Sequence, residues 1–282
     1  AILQRFIEQS KSIDGGSGLS DWETNSSPDY CDWLGVTCSS DRSIQRLDLQ
    51  SRGLTSPLPT VLCTLPHLVE LNLFDNLYDE EFPAGLSNCA KSLSILNLSN
   101  NNFHGSLPDD PRVWSNLSSL THLDLGNNSF TGQFPPTIGD QLLSLQYLNT
   151  WSNGFSGFIP PQLGNLTLLR NLSIAWNNYT YAPLPQELSK LSNLVWLYCG
   201  PCNLVGSFPA WLSHLQSIEY IDLSYNQLSG ALPPHVFQWP RIRNLELYFN
   251  ALTGPIPSTI GNLTTLLELD LSCNQLQGPI PP

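Results

Sequence analysis

The residues of this chain best suited to covalent chemistry are the two cysteines of Cys199-Gly200-Pro201-Cys202. Two thiols separated by two residues can cycle between dithiol and disulfide. This requires that one of them has a lowered pKa, as at the N-terminus of a helix in a βαβ unit. Whether the segment does this chemistry depends on the element that carries it.

Other catalytic and metal-binding patterns are missing from the sequence. It contains no H-E-x-x-H, no phosphate-binding glycine loop with a lysine and no G-x-S-x-G. The acidic runs Asp79-Glu80-Glu81 and Asp109-Asp110 lie in segments typical of solvated turns. The histidines show no metal-ligand spacing: His67, His104, His122, His214 and His235. We therefore expect no enzyme activity, no cofactor and no metal in these residues.

The elements that position all these residues come from one internal repeat. An L-x-x-L-x-L-x-x-N pattern recurs at intervals of 24–27 residues. Its central residues are Leu47, Leu71, Leu96, Leu123, Leu148, Leu172, Leu197, Ile221, Leu245 and Leu269. No single unit can bury its own leucines, so the repeat predicts a solenoid stabilised by stacking.

Each repeat predicts a short inner strand, a turn and an outer segment. Residues 70–74 alternate apolar and polar side chains, as a strand with one buried face does. The asparagine at the turn can bond the backbone of adjacent coils. An outer strand with glycine and proline and a short helical turn follow. We predict one parallel inner sheet of about ten strands, which makes an arc roughly 45–50 Å long. The turn asparagines are Asn76, Asn101, Asn128, Asn153, Asn177, Asn226, Asn250 and Asn274.

The register of this repeat favours a structural role for the cysteine pair. Cys199 takes the position of an inward leucine, and Cys202 takes that of a turn asparagine. In an extended strand, residues three apart are about 10 Å apart, which is beyond disulfide reach. We therefore predict that both thiols are buried and reduced, although the tetrapeptide is identical to the active-site motif of thioredoxins.

The two ends and the other cysteines suggest an extracellular cap. Residues 1–42 are expected to form an N-terminal capping region, and residues 43–282 about ten repeats that continue in a longer protein. Cys31 and Cys38 are suited to a local disulfide, and Cys63 and Cys89 lie at corresponding places in successive coils. We predict both pairs. Seven cysteines leave at least one unpaired, and Cys273 is either a free thiol or a residue of the ligand face.

Composition narrows the possible partners. The net charge of −12 argues against nucleic acid and anionic membrane surfaces as partners. No apolar run approaches the roughly 18 residues needed to span a bilayer. Eight N-x-S/T sequons indicate the secretory pathway, with Asn97 the least suited to carry a glycan because it points from the concave sheet. The others are Asn25, Asn116, Asn127, Asn165, Asn171, Asn178 and Asn262.

Aromatic side chains flank the inward leucines of the later repeats, with acidic and amide side chains between them. Aromatics exposed together on one face are enriched at recognition surfaces, although some can simply pack along the sheet. Besides Tyr147, Trp151, Trp176 and Phe249, the candidate ligand-binding residues are Trp196, Tyr198, Tyr220, Asp222, Tyr225, Glu246, Tyr248, Glu268 and Asp270. These residues predict a groove for an extended peptide.

The repeat form L-x-x-L-x-L-x-x-N-x-L-x-G-x-I-P, together with a C-x-W-x-G-V-x-C cap, resembles plant leucine-rich-repeat receptors. The resemblance covers the whole chain. Finer features are similar to the HAESA and HAESA-like receptor kinases: Leu62–Pro66 with a later Cys89, Cys202–Gly206 and Leu163–Thr167. The implied fold is a right-handed α/β repeat solenoid of the plant type, with a parallel inner β-sheet and a cysteine-containing N-terminal cap.

This resemblance also implies a function. Such receptors bind secreted hydroxyproline-containing peptides along the inner face, and a co-receptor leucine-rich-repeat kinase joins near the C-terminal coils. They are single-pass type I plasma-membrane proteins with an extracellular ligand-binding region and a cytoplasmic Ser/Thr kinase. A family glutamate that meets the peptide's hydroxyproline region matches Glu246. The family's Arg-x-Arg clamp is not matched by Arg241 and Arg243, which precede the strand positions used.

A second interpretation is a secreted cell-wall inhibitor. Polygalacturonase-inhibiting proteins also have ten such coils, but they end in a cysteine-containing cap that this chain lacks. A longer natural chain with a membrane segment would favour the receptor.

Overall fold

The alternating leucines fold each repeat into one coil of a solenoid. A computed structural model describes residues 2–12, 18–25, 27–55, 57–89 and 91–281. In the first nine coils the central leucine or isoleucine is buried beneath the inner sheet, as Leu71 and Leu148 show, whereas Leu269 of the last coil is 39% exposed. Each coil buries its leucines against the coils before and after it, so the core is one continuous apolar column.

The helices are short and lie in the cap and on the convex side. The α-helices are α1 (Ile2–Gln9), α2 (Ser20–Glu23), α3 (Pro111–Asn116) and α4 (Pro136–Gln141). The 3-10 helices are Tyr30–Asp32, Thr60–Thr64, Ala84–Asn88, Pro161–Asn165, Gln186–Lys190, Ala210–His214, Pro234–Val236 and Ser258–Asn262. No helix in the described ranges combines the length and the apolar character needed to cross a membrane.

The strands of the cap and the first repeats are β1 (Lys11–Ser12), β2 (Val36–Cys38), β3 (Ile44–Asp48), β4 (Leu54–Thr55), β5 (Glu70–Asn72), β6 (Ile95–Asn97), β7 (His104–Ser106), β8 (His122–Asp124), β9 (Ser129–Gln133) and β10 (Tyr147–Asn149). Those of the later repeats are β11 (Gly154–Ser156), β12 (Asn171–Ser173), β13 (Trp196–Tyr198), β14 (Val205–Ser207), β15 (Tyr220–Asp222), β16 (Gln227–Ala231), β17 (Asn244–Glu246), β18 (Ala251–Gly254), β19 (Glu268–Asp270) and β20 (Gln275–Leu276).

The concave side is one sheet of eleven strands in the order β19-β17-β15-β13-β12-β10-β8-β6-β5-β3-β2. The ten strands from β3 to β19 are parallel, and the cap strand β2 pairs antiparallel with β3. Residues at the same place in the repeat lie side by side, so that Leu197 pairs with Ile221 and Ile221 with Leu245. This confirms the predicted parallel inner sheet and its register.

The convex side is divided. Outer strands form one sheet in the order β11-β9-β7 and another in the order β14-β16-β18-β20. Between them, residues 178–184 form no outer strand, and an isolated bridge joins Ala182 to Leu204. The predicted outer strands therefore form in most repeats, but their pairing is interrupted at the sixth.

The turn asparagines form the predicted ladder. The Nδ2 of Asn226 donates to the carbonyl oxygens of Cys199 and Leu223 at 2.8 and 3.0 Å. Its Oδ1 accepts from the backbone N–H groups of Cys202 and Leu204 at 3.0 and 2.8 Å. Each asparagine thus bonds its own coil and the preceding one, which satisfies the buried backbone at the bend.

A second column, of aromatic side chains, runs just outside this ladder in the first half of the solenoid. Phe130 is fully buried, and its ring stacks on those of Phe103 and Phe155 with centroid separations of 6.1 Å on both sides. The ring of Tyr78 continues the stack on the other side of Phe103, with a centroid separation of 5.6 Å. Leucine takes the same place in the later coils, as at Leu228 and Leu252.

Both predicted cap-side disulfides are present, Cys31–Cys38 and Cys63–Cys89. Cys273 is a free, exposed thiol.

The prediction for the other pair was wrong, because Cys199 and Cys202 are joined by a disulfide. Cys199 lies one residue beyond the end of β13, so the extended-strand distance does not apply. The chain turns through Gly200 and Pro201, and the two Cα atoms lie 5.4 Å apart, within the usual disulfide range. Both cysteines are buried, as predicted.

Candidate functional site

The candidate ligand face is built from the first and third residues of each inner strand. These side chains point away from the core because strand residues alternate between faces. In the later coils the first positions are Asn171, Trp196, Tyr220, Asn244 and Glu268, and the third positions are Ser173, Tyr198, Asp222, Glu246 and Asp270. The sheet therefore brings the predicted strand residues into two adjacent columns.

An aromatic platform occupies the first column. The rings of Trp196 and Tyr220 stack almost parallel, with centroids 3.7 Å apart and an interplanar angle of 10°. Trp196 is 40% exposed, so the stacked pair presents apolar ring surface to solvent. Such a surface suits a planar or ring-containing group of a ligand.

Carboxylates occupy the second column in three successive coils. Asp222 pairs with Glu246 across the sheet, and Glu246 pairs with Asp270. Burial, and after it the charge of Asp222, raises the pKa of Glu246, although a hydrogen bond from Tyr220 opposes this. Like charges directly opposite each other destabilise a sheet, so this column is poised to accept hydrogen-bond donors or cations.

Asp222 lies deeper than the sequence suggested, and only 4% of it is exposed. Gly200 packs so closely that a Cβ there would lie 2.8 Å from the Asp222 Oδ1 and 2.7 Å from the carbonyl oxygen of Ser224. The backbone N–H of Ser224 donates to Oδ1 at 2.8 Å. Asp222 therefore forms the floor of the candidate groove, while its other predicted residues line the surface.

This burial predicts a pH effect on stability. Burial raises the pKa of Asp222 above its ordinary 3.8. The protonated Asp222 therefore stabilises the fold below about pH 3.8, and this stabilisation is lost as the pH rises through the raised pKa. Asp222→Asn keeps the shape and the acceptor but cannot ionise. We expect a higher Tm than wild type near pH 7, with the difference shrinking towards about pH 4.

Thermal unfolding at a series of pH values measures this effect. Asp270→Asn, which removes a less buried charge from the same column, is the control. If Asp222→Asn lowered the Tm by the same amount at every pH, the assignment of Asp222 as a destabilising buried charge would be contradicted.

The turn that follows each inner strand adds a third column. In nine of the ten coils the residue before the ladder position has a left-handed backbone, with φ between 50° and 58° from Ser51 to Cys273. The ladder residue that follows is an asparagine except in the first coil, where it is Arg52. Small polar residues hold this place in the first five coils: Ser51, Asp75, Asn100, Asn127 and Ser152. Aromatic residues hold it later, at Trp176, Tyr225 and Phe249. A left-handed backbone costs an ordinary side chain about 1–2 kcal/mol, so these aromatics occupy an unfavourable conformation.

These aromatics stay exposed and contact their neighbours on the groove side. Trp176 is 52% exposed, and Tyr225 and Phe249 are each 48% exposed. Trp176 Nε1 donates to the Tyr198 hydroxyl at 3.0 Å. Tyr225 stacks on Phe249 with centroids 4.7 Å apart and meets Tyr248 edge-on at 5.2 Å. We name Tyr225, Tyr248 and Phe249 the aromatic trio.

The remaining predicted residue, Glu268, lies at the last inner strand. Its Oε2 accepts from Asn244 Nδ2 at 2.6 Å. Glu268 is exposed and Asp270 half-buried, so both are open to a ligand.

The earlier coils carry a different surface. Asp124 accepts from Asn149 Nδ2 at 2.9 Å and from the Tyr147 hydroxyl at 3.3 Å, and the Tyr147 ring stacks on His122. This cluster is internally satisfied. Tyr147 was named from the sequence as an outward aromatic residue, whereas Asp124 and His122 were not singled out as site residues. The described residues contain no group of three or more His, Cys, Asp or Glu side chains able to hold a metal ion.

Two family models match this chain. The model described as the leucine rich repeat N-terminal domain matches residues 2–39. The leucine-rich-repeat model matches residues 92–114, 119–141, 144–166, 217–239, 241–263 and 265–282. Together they cover more than half of the sequence and agree with the cap and coils of the structure.

Several curated relatives and solved structures that match this chain are plant receptor kinases. The chain is 34% identical over 129 residues to the MDIS1-interacting receptor like kinase 1 of Arabidopsis thaliana, covering 45% of this chain and 12% of that protein. The Arabidopsis HAESA ectodomain, solved with the peptide hormone IDA and the co-receptor SERK1, matches with a TM-score of 0.93 and 35% identity over 99% of this chain and 46% of that one.

The GASSHO1/SCHENGEN3 ectodomain of Arabidopsis thaliana, in complex with CASPARIAN STRIP INTEGRITY FACTOR 2, matches with a TM-score of 0.86 and 31% identity, over 99% of this chain and 33% of that one. The chain thus spans less than half the length of these proteins. Its match to their extracellular regions indicates an extracellular protein whose own residues are not expected to carry enzyme activity. The chain belongs to the plant leucine-rich-repeat solenoids and is homologous to the ectodomains of leucine-rich-repeat receptor kinases.

Proposed function

We propose that this chain is the N-terminal part of the ligand-binding ectodomain of a plant cell-surface receptor kinase that perceives a secreted peptide. The observation that carries this proposal is the concave face of β13 to β19, where an aromatic platform, a carboxylate column and the aromatic trio lie side by side. A peptide hormone accompanies the HAESA ectodomain in its solved complex, which supports a peptide as the ligand.

The predicted residues make different kinds of contact with the peptide. Trp196, Tyr198 and Tyr220 provide broad, rigid contact at low cost in conformational entropy. Glu246 is half-buried and accepts hydrogen bonds from peptide hydroxyl or amide groups. Asp222 supports it from below, and Glu268 and Asp270 extend the polar side of the groove towards the later coils.

The proposal extends to the whole protein. In this proposal the full-length protein has a single membrane span and a cytoplasmic Ser/Thr kinase. A co-receptor leucine-rich-repeat kinase binds to it C-terminal to these residues. The SERK1 co-receptor in the HAESA complex supports the last point. N-glycans are attached to the sequons, of which Asn116, Asn127, Asn165, Asn178 and Asn262 are exposed and Asn25 and Asn171 half-buried.

The alternative, a cell-wall inhibitor that resembles polygalacturonase-inhibiting proteins, is less well supported. The relatives and ectodomains named above are receptor kinases. An aromatic groove of this length also suits an extended peptide.

Calorimetry on the complete ectodomain with hydroxyproline-containing secreted peptides tests this function. We expect Glu246→Ala to weaken binding roughly ten- to hundred-fold, because a hydrogen bond to a charged group is worth about 1.5–3 kcal/mol. Tyr248→Ala should also weaken binding, because it removes a rigid aromatic contact. Glu70→Ala, on the same face in an early coil, is the matched control and should bind like wild type. Unchanged affinity in both groove variants would rule out this site.

A further inference from the structure

We infer that the aromatic trio, together with the carboxylate column beside it, is a subsite for the cationic side chain of an arginine or lysine in an extended peptide. This inference rests on the proposed peptide-binding function and names one chemical feature of its ligand. It assigns a role to turn residues that the leucine repeat itself does not require.

The first step is that folding does not explain Tyr225 and Phe249. Each is about half exposed, so burial gains little. Each also has a left-handed backbone, with φ of 51° and 50°, which disfavours bulky side chains. Asn100 holds the same place in an early coil, with φ of 55°, and asparagine tolerates this conformation. Unfavourable backbone conformations that persist at exposed positions point to function.

The second step is that the rings form one contiguous surface. Tyr225 and Phe249 stack at 4.7 Å, and Tyr248 meets them at 5.2 and 6.0 Å. These rings come from two successive coils, held together by the backbone N–H of Tyr225, which donates to the carbonyl oxygen of Tyr248 at 3.0 Å. A bound group can therefore touch several rings at once.

The third step is the charge beside these rings. Glu246 is two residues before Tyr248 on the same outward face, and it is flanked in the sheet by Asp222 and Asp270. A basic residue near this column, Arg243, pairs instead with Glu219 at 3.3 Å. Aromatic faces attract cations, and carboxylates form strong charge-assisted bonds with them. Rings and carboxylates together favour a guanidinium or ammonium group over a purely apolar one.

The test uses the complete ectodomain and pairs of short hydroxyproline-containing peptides that differ only in arginine or its neutral isostere citrulline. We expect the wild-type ectodomain to bind at least one arginine peptide about ten-fold more tightly than the matching citrulline peptide. In the Tyr225→Asn, Phe249→Asn double variant this difference should vanish. Its Tm should stay level or rise by a few degrees, because asparagine suits the left-handed backbone.

Asn100→Phe is the matched control. It places a phenylalanine in the same conformation outside the groove, so it should lower the Tm while leaving peptide affinity unchanged. Equal affinities of each arginine and citrulline pair would overturn the cation subsite but leave peptide binding intact. A lowered Tm in the double variant would assign the trio to packing and overturn the inference. Failure of every peptide to bind wild type would contradict both the inference and the proposed function.

Discussion

Replacing Asn226 with alanine is expected to lower the free energy of unfolding by about 3–5 kcal/mol. The side chain is buried. It bonds the carbonyl groups of Cys199 and Leu223 and the N–H groups of Cys202 and Leu204. Alanine leaves these backbone groups buried without partners, and each unsatisfied group costs about 1–3 kcal/mol. The loss is large because one amide serves two coils.

Urea unfolding followed by circular dichroism measures the Asn226→Ala effect under non-reducing conditions. Asn193→Ala is the matched control, since Asn193 is exposed and donates a single described bond, to the carbonyl oxygen of Thr167 in the preceding coil. We expect that control to cost about 1 kcal/mol. Equal losses in the two variants would mean that the ladder does not carry the stability assigned to it.

Phe130→Ala should have an effect of similar size, about 3–5 kcal/mol. Phe130 is fully buried and stacks on Phe103 and Phe155 from both sides. Truncation leaves a cavity in a column whose neighbours are fixed by their own coils and cannot collapse into it. Since coils contact mainly their neighbours, the damage should concentrate in the fourth coil and those beside it.

Hydrogen exchange, read together with the unfolding free energy, locates this damage. Amides of the third to fifth coils should lose protection first, while those of β15 to β19 should change little. Phe130→Leu keeps an apolar side chain in the column and should cost less than about 1.5 kcal/mol. A uniform loss of protection along the whole chain would contradict the nearest-neighbour picture.

The regular part of this fold was predictable because one residue pattern controls it. The alternation around Leu197 and Ile221 sets which side chains face the core, and the constant interval sets the register of the parallel strands. The asparagine ladder was predictable for the same reason, since an asparagine recurs at the same place in eight of the ten turns. These features depend on spacing alone, which a sequence displays directly.

The turn at Cys199 was not predictable from spacing. Proline fixes a negative φ, so Pro201 cannot take the left-handed conformation that the other turns use before their asparagine. In this coil the left-handed residue is Asn203 instead. The altered turn brings Cys199 and Cys202 within disulfide reach and packs Gly200 against Asp222. A departure from the repeat thus changed both a covalent bond and the depth of a candidate site residue.

The candidate groove was only partly predictable. Strand alternation indicated that Glu246 and Tyr220 face outward, which the structure shows. Alternation does not report how deeply a neighbouring turn covers a side chain, so the burial of Asp222 was missed. It also gives no backbone angles, so the unfavourable positions of Tyr225 and Phe249 appear only in the folded chain.

The divided convex side has a mechanical consequence. Along the concave side every coil is joined to the next by strand pairing, but on the convex side the outer ladder stops at Ser156 and resumes at Val205. The backbone bonds described across this gap are Thr180 N–H to Gly157 O and Val205 N–H to Ala182 O. The rod is therefore least stiff against bending at its sixth coil, where few bonds oppose the separation of convex edges. Such bending changes the curvature of the groove at Trp176, the point at which its aromatic half begins.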